Sequence, residues 1–91
     1  MKILVTDSAR WQLRTATAAL RRRDPRRAES FRNEVAKLLE QPDRAMSRTQ
    51  PLSDLPGLPF REAQVEGYRL FFRSEGGVLW LVGAWDVPIE R

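Results

Sequence analysis

Cysteine and histidine are both missing from the 91 residues. Without cysteine, neither a disulfide nor a thiolate metal site can hold the chain together. Without histidine, the chain lacks the usual general base near neutral pH and the commonest metal ligand. Proton transfer would fall to carboxylates, Tyr68, Lys or Arg, and a metal would need Asp and Glu alone. Those carboxylates are scattered along the sequence, so no metal site and no cofactor is expected. Long apolar runs are scarce near the start, where Asp7 arrives early. The opening is too short for a signal peptide or a membrane span, so the expected compartment is the cytoplasm, with no membrane association.

Lysine is nearly absent, and arginine is abundant: two Lys against fourteen Arg, with a net charge of +4. A GC-rich genome produces such a ratio by itself, so the placement of the arginines is more informative than their number. A basic small protein attracts RNA, DNA, the ribosome surface or an acidic protein partner. With 42% hydrophobic residues, the chain can build one modest core, and residues 1–91 are expected to form a single domain.

Residues 2–6 read as a short strand, and Asp7 or Ser8 offers a cap for a following helix. In that helix Ala9, Leu13, Ala16 and Leu20 form one stripe, while Arg10, Arg14 and Arg21 form another. Trp11 lies away from the apolar stripe. Arg21-Arg22-Arg23 suits a helix C-terminus, and Asp24-Pro25 suits the start of the next. The short link predicts an antiparallel helical hairpin. In the second helix Ala28, Phe31, Val35, Leu38 and Leu39 share a face, and Pro42 is expected to stop it. Residues 42–59 hold four of the six prolines and are expected to form a loop.

From Phe60 the pattern becomes that of strands. Glu66-Gly67 and Glu75-Gly76-Gly77 are hairpin turns, and residues 78–85 are a nearly unbroken apolar strand suited to the centre of a sheet. A short polar tail follows. The predicted class is α+β, in the order β-α-α-β-β-β, with the helical hairpin on one face of a small, mainly antiparallel four-stranded sheet. Much of the other face is left exposed unless a partner covers it.

The string Leu55-Pro56-Gly57-Leu58-Pro59-Phe60-Arg61-Glu62 leads into Gly67-Tyr68-Arg69-Leu70-Phe71-Phe72-Arg73, then a Gly-Gly turn and the apolar strand. Together with the strand and helical hairpin ahead of it, this resembles the RelE/ParE toxin superfamily of type II toxin–antitoxin systems, over essentially the whole chain. The resemblance implies a growth-inhibiting toxin and a cognate antitoxin, usually acidic, in a toxin–antitoxin hetero-oligomer. RelE-like members cut mRNA in the ribosome, which is the reading slightly favoured here. ParE-like members act against DNA gyrase instead. A third reading keeps the fold as a non-catalytic protein-binding module.

For RNA cleavage, Arg69 matches the family arginine that contacts the scissile phosphate. Its planar fork of donors suits phosphate oxygens and stays charged at any relevant pH. Arg69, Phe71 and Arg73 share a strand face, and Arg61 on the preceding strand can add to phosphorane stabilisation. Glu62 or Asp86 is the candidate base, since no Tyr or His follows the last strand. The bland alternative pairs these arginines with Glu62, Glu66 or Glu75 across strands. Tyr68 and Trp85 can stack on bases or pack as ordinary aromatics. Arg10, Arg14, Arg21, Arg22, Arg26 and Arg27 can hold phosphates or form a solvated face. Trp11 is a candidate antitoxin anchor, with packing under the long loop as its alternative.

Overall fold

In the computed structural model, which describes residues 2–52 and 57–86, three helices lie against a five-stranded sheet. The elements are β1 (Lys2–Val5), α1 (Asp7–Arg23), α2 (Pro25–Glu40), α3 (Pro42–Arg48), β2 (Gln50–Pro51), β3 (Phe60–Val65), β4 (Tyr68–Glu75) and β5 (Val78–Asp86). The sheet order is β1-β5-β4-β3-β2, with β1 parallel to β5 and every other pair antiparallel. Leu55-Pro56 of the expected loop and the expected polar tail lie outside the described residues.

Local chemistry accounts for the helix boundaries. Thr6, one residue before the predicted caps, closes α1: its Oγ1 accepts from the Ala9 N–H at 3.1 Å. Asp24 closes α2 by accepting from the Arg27 N–H at 3.3 Å, and Pro25 takes the first helical position. Because one residue separates the helices, they must run antiparallel. Pro42 ends α2 as expected but also opens α3, since proline's missing N–H costs nothing in a first turn. The expected loop is therefore partly ordered: α3 buries Ala45 completely, and β2 adds a fifth strand by pairing with β3.

The core sits between the helices and one face of the sheet. Ala9, Ala16 and Leu20 of α1 and Ala28, Phe31, Val35 and Leu38 of α2 meet Leu70, Phe72, Leu79 and Leu81 from β4 and β5. In β5 the alternation slips once. Phe71 faces Gly83 while Phe72 faces Leu81, which leaves Val82 as an extra residue. This bulge sends Ala84 to the helix side and Trp85 to the open side. As expected, β5 lies inside the sheet, between β1 and β4, with Val78, Trp80 and Val82 partly covered on its second face.

The β3–β4 hairpin turns through Glu66 (φ 49°) and Gly67 (φ 83°), the doubly left-handed pair that matches strand twist. Arg27 holds this turn against α2. Its Nη2 donates to the Glu66 carbonyl at 2.6 Å and its Nε lies 3.5 Å from Glu66 Oε1, while Ser30 Oγ donates to Glu66 Oε2 at 3.3 Å. A Cβ added at Gly67 would stand 2.6 Å from Arg27 Nη2 in a backbone region that L-residues avoid. Gly67→Ala is expected to cost about 1–2 kcal/mol, read as a lower urea midpoint with an unchanged slope. An unshifted midpoint would contradict this turn geometry.

Candidate functional site

The face of the sheet turned away from the helices carries a lattice of side chains in three cross-strand rows. Gln64, Arg69 and Trp85 form the first row; Glu62, Phe71 and Gly83 the second; Phe60, Arg73 and Trp80 the third. Period-two alternation puts Arg69, Phe71 and Arg73 together, as predicted. The bulge in β5 then places Trp85 directly opposite Arg69.

Arg69 is half-buried in the middle strand of this lattice, beside the central Phe71. Its Nε donates to Glu62 Oε2 at 3.0 Å and its Nη2 donates to the same oxygen. The guanidinium carbon lies 4.9 Å from the centroid of the Phe71 ring, so the cation also rests on an aromatic face. Glu62 is buried, with only 8% of its surface exposed, and its charge is acceptable there because Arg69 neutralises it. Trp85 packs edge-on to Phe71 at 4.6 Å and covers Gly83, where a side chain would collide with the indole. Beside them Leu52, Phe60, Phe71, Val82 and Trp85 line an open hollow made only of apolar side chains.

Several expected site residues lie elsewhere. Arg61 is paired with Phe72 on the helix side, where its Nε donates to Thr49 Oγ1 at 2.7 Å and its Nη2 to the Thr49 carbonyl at 2.9 Å. Its register is odd relative to Glu62, so it cannot share a phosphate with Arg69 across the open face. Tyr68 is interior, 6% exposed, with its ring 5.2 Å from that of Phe31. It is not available to stack on a base. Glu62 faces a cation in place of a ribose hydroxyl. Asp86, opposite Tyr68 at the end of β5, is exposed. Arg73 shares Arg69's face but pairs with Glu75, two residues along its own strand, at 2.8 Å. The cross-strand pairing alternative therefore describes Arg69 with Glu62, while Glu66 serves Arg27.

Trp11 is 67% exposed and flanks a shallow pocket with Trp85, Asp86 and Tyr68. Among the described residues, none of the segment that follows α2 joins that pocket. Arg10, Arg14 and Arg21 line a groove between α1 and α2, whereas Arg22 and Arg26 are exposed outside it. Two positioning residues were not foreseen. Gln12 Oε1 accepts from the Ala84 N–H at 2.8 Å and fixes the end of β5, and Thr49 anchors Arg61. Neither lies in a sequence pattern, because each contact joins distant parts of the chain. Among the described residues no cluster of three or more Asp or Glu is placed to hold a metal ion, and no helix is long and apolar enough to cross a membrane.

Comparison with known proteins agrees with this architecture. A chain of the chromosomal ParDE TA system from P. aeruginosa superposes with a TM-score of 0.67 at 16% identity, covering 97% of each chain, a likeness of fold. No curated protein matches by sequence. The family model described as "ParE toxin of type II toxin-antitoxin system, parDE" matches residues 3–83. The chain belongs to the ParE toxin family of type II toxin–antitoxin systems.

Proposed function

We propose that the chain arrests growth by acting on DNA gyrase, and not by cutting mRNA, and that a cognate antitoxin holds it inactive. The observation that supports this reading over the RelE-like one is the state of Arg69. A guanidinium that stabilises a phosphorane needs free donors aimed at the phosphate and an acid–base pair beside it. Arg69 directs its donors to Glu62, Arg61 lies on the opposite face, and Tyr68 is in the core. The family match to ParE adds weight on the same side.

Purified protein is expected to inhibit gyrase supercoiling of relaxed plasmid in a dose-dependent way. It is expected to leave messages intact in a translating extract followed by primer extension. Toxin-dependent cuts in the message, with supercoiling unaffected, would reverse the assignment. A protein inert in both assays that still binds a partner would leave the non-catalytic binding module.

A further inference from the structure

The shallow cleft where α1 meets the end of β5 differs in charge from the two grooves that flank α2. Those grooves carry arginines, in keeping with a net charge of +4. Trp11, Trp85 and Asp86 line this cleft, together with Thr15 and small residues such as Ala16 and Ala84, and no Arg or Lys lines it. Arg10 and Arg14, the neighbours of Trp11 on α1, line the separate groove against α2. Arg69 faces Trp85 across the strands but is neutralised by Glu62. Asp86 is exposed and enters no ion pair among the described residues. The polar atoms offered to a ligand are of one kind. Thr15 Oγ1 donates its proton to the Trp11 carbonyl at 3.0 Å, so toward the cleft that oxygen can only accept, as does the Asp86 carboxylate. A tertiary contact brings the two indoles together: Gln12, next to Trp11, accepts from the N–H of Ala84, next to Trp85, at 2.8 Å. Both indoles stay open, at 67% and 49%, although tryptophan is on average highly buried.

We infer that this cleft receives an arginine or lysine side chain from a basic segment of a partner protein. The indole faces attract a cation through their ring quadrupoles, the carboxylate pairs with it, and the hydroxyl accepts one of its protons. At about 280 Å³ the cleft is below the size of small-molecule sites, about 300–1,000 Å³, and suits a single side chain. An acidic segment would meet Asp86 with like charge. A nucleic acid could stack a base on the indoles, but its phosphates would face the same carboxylate. The inference stands on the cleft alone and does not depend on which cellular target the protein attacks.

The test titrates the full chain with the end-blocked tripeptide Gly-Arg-Gly and follows the indole N–H proton signals of its three tryptophans. Saturable shifts of the Trp11 and Trp85 signals are expected, with half-saturation at about 1 mM. The Trp80 signal, from the row that holds Arg73, is expected to stay in place. Gly-Lys-Gly should act similarly, and Gly-Gln-Gly and Gly-Glu-Gly should not bind. Asp86→Asn and Trp11→Ala should each weaken Gly-Arg-Gly about threefold, with circular dichroism unchanged because both side chains are exposed. Asp86→Lys should turn the preference toward Gly-Glu-Gly. Glu40→Gln, an equal loss of charge outside the cleft, should leave binding as it was. No saturable shift in folded wild type at about 10 mM peptide, or equal shifts with Gly-Gln-Gly, would overturn the inference. A single-stranded oligonucleotide that moves both indoles and displaces the peptide would also overturn it, by giving the cleft to a base. So would shifts that grow with protein concentration alone, with a dimer in sedimentation, by giving it to a second copy. The titration contains no gyrase, so the two readings fail separately.

Discussion

Phe72→Ala is expected to destabilise the protein by about 3–5 kcal/mol, whereas Phe71→Ala, one residue away, is expected to cost about 1–2 kcal/mol. Phe72 is fully buried at the centre of the helix-facing side, opposite Leu81. Truncation there opens a cavity that β-sheet hydrogen bonding prevents from collapsing. Phe71 points to the open face, where its ring touches the Arg69 guanidinium and the Trp85 edge and stays partly in water. A domain of this size has roughly 5–10 kcal/mol of stability to lose. The Phe72 variant should therefore unfold at a far lower urea concentration, with a detectable unfolded population in buffer. Urea titration followed by far-UV circular dichroism and tryptophan fluorescence gives both values. Costs in the reverse order would mean that β4 presents its other face to the helices.

The pair Arg69 and Glu62 is expected to respond asymmetrically. Arg69→Ala strands a carboxylate that is 11% exposed at its side chain, with an expected cost of about 2–3 kcal/mol. Glu62→Gln leaves a guanidinium that is 35% exposed and can turn to water, so about 1 kcal/mol is expected. Replacing both with apolar residues of similar volume, Arg69→Met with Glu62→Leu, is expected to restore most of the stability, because the desolvation of both charges disappears with their attraction. A double-mutant cycle in urea measures the coupling. The doubly apolar variant also separates two explanations for lost toxicity. If Arg69 acts on a phosphate, the variant folds but fails to arrest growth. On the gyrase reading it still arrests growth, and a well-folded but harmless variant would return Arg69 to the acting surface.

These two tests fall on the parts of the molecule where sequence and structure differ in what they reveal. The shared face of Arg69, Phe71 and Arg73 was legible from alternation, and the structure turns the other face, with Leu70 and Phe72, to the helices. The catalytic grouping was not legible. Arg61 and Arg69 look equivalent along the chain, yet antiparallel pairing of Arg61 with Phe72 and of Gln64 with Arg69 puts them on opposite sides. Which carboxylate would take Arg69 was open among Glu62, Glu66 and Glu75, and register alone chose Glu62.

Sequence by itself determined the elements whose causes are local. Residue spacing along α1 and α2 defines their buried stripes, Asp24-Pro25 forces the hairpin, and Gly67 and Gly76-Gly77 supply the left-handed turns between β3, β4 and β5. Tertiary structure alone decided what depends on contacts between distant residues. Proline at position 42 reads as a stop, and only the burial of Ala45 against the core makes it also a start. Straight alternation from Leu79 and Leu81 would carry Trp85 into the core, and the extra residue at Val82 turns it outward beside Arg69. A one-residue slip inverts every later side chain in a strand, and that slip shows only in the pairing with β4 and in the Ala84 N–H bond to Gln12 on α1, far away in the chain.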